Sequence, residues 1–259
     1  MADPLDYSNK VVIVTGGSRG VGRGITLRFL EAGAQVVICS RNQPEEVPEA
    51  NGRRAWFETA DVREVDQIER VVGSTTDRFG RLDLLINNAG GAPAVDSATV
   101  SPRFSEAIIR LNLIAPLNFA QRANAVMQLQ EEGGSIINIA SVSGLRASPG
   151  TAAYGAAKAG LLSLTQTLAV EWAPKVRINA ITAGMVRTEL AHLHYGDEDG
   201  IAAVAATVPL ARMGEPRDIG DVCLFLASPL ASYVSGANLL VHGGGERPAF
   251  LAAAEKAPS

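Results

Sequence analysis

Seven short runs of apolar, mostly β-branched residues alternate along the chain with segments that have helical apolar spacing. The first run is apolar at every position from Val11 to Val14 and ends at Gly16 and Gly17, a pattern typical of a strand buried on both faces. Strands are predicted at 10–15, 35–39, 55–59, 82–87, 135–140, 176–181 and 237–241, and helices at 22–32, 65–79, 104–130 (one long helix or two joined), 152–172 and 219–226. The alternation indicates a parallel sheet covered by helices, either doubly wound or closed into an eight-stranded barrel.

The size and uniform composition of the chain predict one domain. Its 259 residues are 47% apolar and 19% charged, which provides enough apolar material for a large core. No internal repeat, low-complexity linker or shift of composition divides it. We therefore expect a single catalytic domain over residues 1–259. The least regular stretch, 185–215, is expected to be a loop that covers the substrate, here called the lid segment, and 246–259 a peripheral tail.

Charge, cysteine content and hydropathy argue against several classes of protein. The net charge of −4 comes without a basic tract, which argues against nucleic-acid binding. Cys39 and Cys223 lie far apart without ligand spacing, so neither a disulfide framework nor a zinc site is expected. No uninterrupted apolar stretch is long enough to span a membrane, and the N-terminus lacks a cationic start followed by an apolar stretch. These features predict a cytoplasmic protein that binds neither membranes nor nucleic acids.

A glycine-rich turn follows the first predicted strand and opens the first predicted helix. Its sequence is Thr15-Gly-Gly-Ser-Arg-Gly-Val-Gly22. Such a turn places backbone N–H groups and the positive end of the helix against an anion, and glycine is needed where the backbone approaches a ligand. Strand, turn, helix and second strand together form the arrangement of a dinucleotide site. A glycine turn taken alone can also be purely structural.

The residues after the second predicted strand favour NADP(H) over NAD(H). An NAD site carries an acidic residue there for the ribose hydroxyls, whereas this chain has Ser40, Arg41 and Asn42. Arg41 suits a 2′-phosphate, and Arg19 in the glycine turn offers a second cation for it. The alternative is that both arginines are ordinary solvated surface residues, which would leave NAD(H) as the cofactor.

Tyr154 and Lys158 lie four residues apart on a predicted helix, so their side chains share one face. A phenol with an ordinary pKa near 10 is a poor acid or base at neutral pH unless a neighbouring cation favours the phenolate. Lys158 could be that cation. The spacing alone is weak evidence for such a pair.

Several separated motifs make the chain resemble a single-domain short-chain dehydrogenase/reductase from about residue 10 to residue 244. The motifs are the glycine turn, Asp61-Val62, Asn87-Asn-Ala-Gly90, Asn112, Ser141 thirteen residues before Tyr154, and the Tyr154-x-x-x-Lys158 pair. The resemblance implies a Rossmann-type, doubly wound, seven-stranded parallel sheet with helices on both faces, which removes the barrel. It also implies a homodimer or homotetramer.

The resemblance also implies roles for individual residues. Ser141 would hydrogen-bond the oxygen of the carbonyl or alcohol, Tyr154 would transfer the proton, and Lys158 would bind the nicotinamide ribose and lower the pKa of the tyrosine, with Asn112 supporting Lys158. The hydride comes from the nicotinamide. The residues expected to contact the cofactor are Gly16, Ser18, Arg19, Gly20, Val21, Gly22, Ser40, Arg41, Asp61, Val62, Asn88, Ala89, Gly90, Tyr154, Lys158, Gly184, Val186 and Thr188.

Two positions depart from the family pattern. Ala183-Gly184 stands where the family has Pro-Gly after the sixth strand, and His242 stands where it has Asp before the last glycines. Neither position carries a proton or hydride in the implied chemistry. We expect the changes to affect loop mobility or interface packing rather than to abolish catalysis.

The lid segment contains residues that suggest a metal site only at first sight. His192 and His194 are two residues apart, a separation that does not bring side chains together on a helix. The acidic run 197–199 lacks the ligand spacing of a calcium loop. No metal site is therefore expected, and these residues are interpreted as polar lid residues and a solvated turn.

The lid segment also has an apolar side, formed by Leu190, Leu193, Tyr195, Ile201, Val204 and Val208. This side could cover a hydrophobic substrate or pack the segment onto its own sheet. We expect a reductase that uses NADPH on a lipid-like carbonyl, of the 3-oxoacyl or steroid type, and a small polyol or sugar is the other substrate class. The alternatives are an NAD-dependent secondary alcohol dehydrogenase and, from another class, a nucleotide-binding regulator without turnover.

Overall fold

The computed structural model describes residues 3–251, and the part of the predicted tail at 252–259 lies outside the described residues. Its strands are β1 (Val11–Thr15), β2 (Gln35–Ser40), β3 (Glu49–Ala50), β4 (Arg53–Arg54), β5 (Trp56–Thr59), β6 (Leu84–Asn87), β7 (Gly134–Ser141), β8 (Val176–Ala183) and β9 (Asn238–Val241). In the described range, seven of them form one sheet in the order β5-β2-β1-β6-β7-β8-β9, with every neighbouring pair parallel. The predicted doubly wound sheet is confirmed.

The strand order reverses direction between β1 and β6. Strands β1, β2 and β5 extend to one side, and β6 to β9 extend to the other. In an open parallel sheet, ligands bind beyond the carboxyl ends of the strands at such a switch point. The fold therefore places a crevice between the loop after Thr15 and the loop after Asn87.

Helices cover both faces of the sheet. They are α1 (Gly20–Glu31), α2 (Val65–Phe79), α3 (Pro102–Ile109), α4 (Ala115–Met127), α5 (Ala152–Glu171), α6 (His192–Tyr195), α7 (Glu198–Thr207) and α8 (Pro216–Ala227). Alternate residues of β1 point to opposite faces of the sheet. Val12 and Val14 pack in one core with Phe29 of α1, and Ile13 packs in the other core with Phe119 of α4. Burial on both faces explains the continuous apolar runs in the sequence. None of the helices within residues 3–251 is long and apolar enough to cross a membrane.

A π-helical turn at Arg110–Ile114 joins α3 to α4 without a break. The sequence predicts one long helix or two joined helices over 104–130, and the structure has this second arrangement over 102–127. Single π-helical turns are rare and occur often at functional sites, because they rotate one residue out of the helical register. Here that turn carries Asn112, whose side chain is fully buried.

The lid segment is more regular than the sequence suggests. An irregular loop is predicted, but the segment contains α6 and α7, and α7 begins where the Asp197 side chain accepts a hydrogen bond from the N–H of Gly200 at 3.1 Å. Ala191, Ile201 and Met213 are buried together in a small core of the segment itself. An N-terminal cap followed by an alanine-rich stretch favours a helix, and this outweighs the irregular look of the glycine and acidic residues.

Candidate active site

The hydroxyl of Thr15, the last residue of β1, ties the two sides of the crevice together. Its Oγ1 accepts hydrogen bonds from the backbone N–H groups of Asn88 and Ala89, each at 2.9 Å, and the Asn88 side chain donates to the carbonyl of Thr15 at 2.9 Å. The loop after β6 is thus fixed to the glycine turn. The sequence pattern marks Thr15 only as the start of the turn, and this role of its hydroxyl is visible only in the folded structure.

The glycines of the turn are required by close backbone contacts. A Cβ atom at Gly22 would lie 2.2 Å from the carbonyl oxygen of Gly16, and one at Gly16 would lie 3.2 Å from Cα of Ala89. Gly16 and Gly20 both have positive φ, +65° and +54°, which side chains with a Cβ rarely adopt. Ser18 lies in the turn half-buried, and Val21 packs against the core from the first turn of α1. The turn can pack this closely against the loop after β6 only because positions 16 and 22 lack a Cβ atom.

The N-terminus of α1 is not capped by its own sequence. Arg19, the N-cap residue, makes no side-chain cap, and the first turn of α1 contains no acidic residue. Instead, the backbone N–H of Gly20 donates to Oε1 of Glu189 in the lid segment at 2.8 Å. Helix N-termini attract anions through their free N–H groups and the helix dipole. The glycine turn therefore already holds a carboxylate, which shows that an anion fits there.

The loop after β2 brings Arg41 near the predicted adenine contact Asp61. Arg63 makes a two-pronged ion pair with Asp61 and holds the pKa of that carboxyl below its usual value, and the charge of Arg41 acts in the same direction. Ser40 Oγ donates to the carbonyl of Asn42 at 2.7 Å, and the buried side chain of Val62 packs into the core.

The two arginines predicted to bind a phosphate are exposed. Across the described part of the chain, neither Arg19 nor Arg41 makes a side-chain hydrogen bond or an ion pair. Arg41 follows β2 directly and Arg19 precedes α1, so both lie beyond the carboxyl edge of neighbouring parallel strands. Both guanidinium groups are thus available to an anionic ligand at that edge.

Gly90, Asn112 and Lys158 meet at one point. A Cβ atom at Gly90 would lie 2.6 Å from Oδ1 of Asn112 and 3.4 Å from Nζ of Lys158. Asn112 accepts from the N–H of Gly91 at 2.8 Å and donates to the Gly91 carbonyl at 3.1 Å. Lys158 donates to the carbonyl of Ile139 at 2.7 Å. The structure therefore brings Asn112 and Lys158 together, and it shows why position 90 must be glycine.

Ser141 and Tyr154 lie next to Lys158 in the same part of the crevice. Ser141 ends β7, and its Oγ accepts from the N–H of Ser143 at 3.2 Å. The hydrogen bond of its hydroxyl to Tyr154 lowers the pKa of the tyrosine, but burial raises that pKa by more. Nζ of Lys158 lies 5.6 Å from the centre of the Tyr154 ring. Ser141, Tyr154, Lys158 and Asn112 thus form one cluster.

The expectation that Lys158 depresses the pKa of Tyr154 does not match the direction found here. The pKa of Tyr154 is raised, chiefly by burial. Burial also lowers the pKa of Lys158 to about 8. Both shifts have one cause, because a desolvated site disfavours the charged form of either group. At neutral pH the cluster therefore holds a protonated phenol beside an ammonium group that titrates close to physiological pH.

The two positions that depart from the family pattern, Ala183-Gly184 after β8 and His242 after β9, are in contact. A Cβ atom at Gly184 would lie 2.6 Å from Cβ of His242, so His242 packs directly against the backbone of Gly184. Further along, Val186 pairs with Gly214 across the base of the lid segment. Thr188 reaches the glycine turn, with its Cγ2 3.6 Å from where a Cβ of Gly20 would lie. The sequence analysis treated the two departures as independent, whereas they are neighbours.

Polar groups lie around Tyr195, which is within electrostatic reach of Tyr154. Arg146 and Glu246 form an ion pair near Tyr195, although Glu246 begins the predicted tail. Tyr195 of α6 lies within electrostatic reach of that pair and of Tyr154, and burial raises its own pKa. Arg146 and Glu246 were missed because they come from segments distant in sequence, and Tyr195 was expected only on the apolar side of the lid segment.

Two of the acidic residues in the lid segment make structural contacts. Asp197 caps α7, and Glu198 pairs with Arg187 at 2.9 Å. Among the described residues, no three His, Cys, Asp or Glu side chains are grouped so as to hold a metal. Cys39 and Cys223 are both buried and free, and burial raises the pKa of the Cys39 thiol to about 12. Both thiols are therefore unreactive core residues.

The comparisons with known proteins agree with this geometry. A family model described as "Enoyl-(Acyl carrier protein) reductase" matches residues 16–246. An L-fucose dehydrogenase of Oryctolagus cuniculus is 36% identical over 95% of this chain and 88% of that protein, and a 3-oxoacyl-[acyl-carrier-protein] reductase of Thermotoga maritima is 34% identical over 93% and 99%. The structure of a Thermoplasma acidophilum aldohexose dehydrogenase superposes with a TM-score of 0.85 at 30% identity, covering 98% of this chain and 97% of that one. The chain belongs to the short-chain dehydrogenase/reductase family of oxidoreductases, which use NAD(P)(H) and act on CH–OH groups or the corresponding carbonyls.

Proposed function

We propose that this protein transfers a hydride between NADP(H) and a ketone or secondary alcohol. The observation that carries the proposal is the convergence of Ser141, Tyr154, Lys158 and Asn112 beside a glycine turn at the switch point of the sheet. Structural needs alone rarely bring such groups into one crevice: the hydroxyls of Ser141 and Tyr154, the buried ammonium group of Lys158, and a glycine turn that can bind an anion. The nicotinamide, when bound, supplies or accepts the hydride.

The chain's own residues would bind the dinucleotide along the carboxyl edge of the sheet. The N–H groups at the start of α1 suit its phosphates, and Gly16, Ser18, Val21 and Gly22 shape that turn. On one side Ser40, Asp61 and Val62 would contact the adenosine half, and on the other Asn88, Ala89 and Gly90 would line the path to the nicotinamide half. Gly184, Val186 and Thr188 would close the site from the lid side. The glycine contacts described above support this fit, because the absence of a Cβ at Gly16 and Gly22 lets the turn pack closely against the loop after β6.

Within the cluster, each side chain has a distinct task. Ser141 would hold the substrate oxygen through its hydroxyl, where negative charge grows during reduction. Tyr154 would give its phenolic proton to that oxygen. Lys158 would bind ribose hydroxyls, and Asn112 would act as a positioning residue for the loop at Gly91. The raised pKa of Tyr154 supports work as a reductase, because the phenol is kept in the form that donates a proton.

The preference for NADP(H) rests on Arg41, with Arg19 as a second cation. Both are exposed and free of ion pairs within residues 3–251, and Arg41 is close enough to act on Asp61. Titration of the protein with NADPH and NADH tests this preference. We expect tighter binding of NADPH, and Arg41→Ala should weaken NADPH binding about tenfold while leaving NADH binding unchanged. Tighter binding of NADH by the unaltered protein would instead support an NAD-dependent secondary alcohol dehydrogenase.

The expected substrate is a lipid-like carbonyl, of the 3-oxoacyl or steroid type. The Thermotoga maritima relative named above as a 3-oxoacyl-[acyl-carrier-protein] reductase supports this class. Leu190 and Leu193 also support it, since they are exposed on the lid segment at 36% and 67%. Ile201 and Val208 do not, because both are buried inside the protein.

A sugar or polyol is the second candidate substrate, and the polar groups around Tyr195 favour it. Arg146, Glu246 and Tyr195 offer charged and hydroxyl groups that suit a hydroxylated substrate. Two of the similar proteins are named as sugar dehydrogenases. A panel of 3-oxoacyl thioesters, steroid ketones and keto sugars, followed by NADPH oxidation, separates the two classes. Activity confined to the keto sugars would overturn the lipid-like assignment.

A regulator that binds nucleotide without turnover is the alternative from another class. The intact cluster argues against it, and nucleotide binding without activity on any carbonyl of the panel would support it.

We also propose a homodimer or homotetramer. Apolar side chains exposed on the edge strand β9 and after α8 support assembly, among them Leu240, Leu230 and Tyr233. Light scattering of the purified protein measures the number of chains.

A further inference from the structure

Glu189 occupies the N-terminus of α1 in the crevice, where a free backbone N–H and the helix dipole attract an anion. Its carboxylate accepts the first N–H of α1 at 2.8 Å. That N–H has no other cap, because Arg19 provides none and the first turn of α1 is without an acidic residue. The bond joins residues 169 positions apart in sequence, so it links the lid segment to the glycine turn.

The neighbouring residues hold Glu189 against the turn. Thr188 lies beside Gly20, with its Cγ2 3.6 Å from where a Cβ of Gly20 would lie. The base of the segment is fixed by backbone hydrogen bonds between Met185, Arg187 and Gly214 at 2.8 to 2.9 Å. The carboxylate is therefore presented by an ordered part of the lid segment rather than by a loose loop.

We propose that Glu189 is an internal competitor for the nucleotide: its carboxylate occupies the phosphate position at α1 and must leave before a dinucleotide binds. This inference rests on the proposed function, since it takes the glycine turn as the phosphate site. A phosphate and a carboxylate cannot accept the same N–H in the same place, and two anions at one helix end repel each other. Glu189 thus sets nucleotide affinity by lowering the fraction of molecules whose turn is open.

The proposal predicts that removing this carboxylate strengthens nucleotide binding. Most substitutions in a binding site weaken it, so the sign of the effect is diagnostic. We expect Glu189→Gln and Glu189→Ala to bind NADPH about two- to fivefold more tightly, the range for one exposed charge at a helix end. The matched control is Glu198→Gln, which removes the same charge from the same segment; among the described residues, the Glu198 carboxylate is hydrogen-bonded to Arg187 and not to the glycine turn. The control should bind NADPH as the unaltered protein does.

Amide hydrogen exchange gives a second readout that needs no substrate. Without nucleotide, the Gly20 amide should be protected in the unaltered protein and in Glu198→Gln, and should exchange faster in Glu189→Ala. Unchanged exchange at Gly20 in Glu189→Ala would overturn the proposal.

Equilibrium titration with NADPH by protein fluorescence separates failure of this proposal from failure of the proposed function. If the unaltered protein binds and the Glu189 variants bind no more tightly than Glu198→Gln, the competitor role is wrong and the proposed function stands. If the unaltered protein binds neither NADPH nor NADH, the proposed function fails and this inference fails with it.

Discussion

Replacement of Gly22 by alanine tests the glycine turn, and replacement of Gly73 provides a matched control. Both glycines lie within helices, α1 and α2, and neither has positive φ. A Cβ at Gly73 would meet nothing within 4 Å. Gly73→Ala should therefore stabilise the protein by about 0.5–1 kcal/mol, through the better helix propensity of alanine.

At Gly22 the same gain in helix propensity is opposed by a steric clash of the added Cβ with neighbouring atoms of the glycine turn and of the loop after β6. The added Cβ would lie 2.2 Å from the Gly16 oxygen and 2.5 Å from Nδ2 of Asn88. A carbon–oxygen contact needs about 3.3 Å, so the Gly16 carbonyl must shift by roughly 1 Å, and the Asn88 side chain of the loop after β6 must move as well. Such overpacking costs about 1–3 kcal/mol. Taken as the difference from Gly73→Ala, the destabilisation should be about 1–3 kcal/mol, because the propensity gain cancels.

Urea unfolding followed by the fluorescence of the two tryptophans, Trp56 and Trp172, measures the difference at fixed protein concentration. NADPH titration of the folded variants should show binding weakened at least about tenfold in Gly22→Ala, since both walls of the phosphate site move. Gly73→Ala should bind normally. If Gly22→Ala matches Gly73→Ala in stability and in NADPH affinity, the close-contact argument for the glycine turn is refuted.

Three further predictions concern the cluster and the fold. Because the pKa of Lys158 is lowered to about 8, its amino group is charged below that pH and neutral above it. The value of kcat/KM for NADPH-dependent reduction should therefore fall as the pH rises above about 8. A flat pH profile from about pH 6 to 10 would contradict this role of Lys158. Gly90→Ala would place a Cβ 2.6 Å from Oδ1 of Asn112 and should lower kcat at least about tenfold in steady-state assays. Asp83→Asn would remove the charge that holds Arg81 and Lys10 and should lower the free energy of unfolding by about 1–3 kcal/mol in urea titrations, with no change in NADPH affinity.

The sheet could be predicted because its strands carry their pattern locally. Burial on both faces makes the central strands continuous apolar runs, and all seven predicted runs are strands of the sheet, including the more exposed edge strands β5 and β9. The small ribbon of β3 and β4 was missed, although its turn is Asn51-Gly52, both with positive φ, a strong hairpin signal. Its strands are only two residues long, too short to show any periodicity.

The candidate site could be predicted only where its residues belong to motifs. Ser141, Tyr154 and Lys158 have fixed spacing, so the sequence identified them. Glu189 has no motif of its own, and its contact depends on the folded path of the lid segment back to α1. The only local signal was the missing cap at Arg19. The sequence shows the lysine beside Tyr154, whereas the burial that raises the pKa of Tyr154 is a property of the fold.

The most direct test of the account follows the hydride itself, using NADPH that carries deuterium at the transferring C4 position and the carbonyl that reacts best in the panel. The account predicts deuterium at the carbinol carbon of the product with the unaltered protein, and loss of that product at matched nucleotide occupancy with Tyr154→Phe. Deuterium found nowhere in the product, or transfer at an undiminished rate by Tyr154→Phe, would contradict the account.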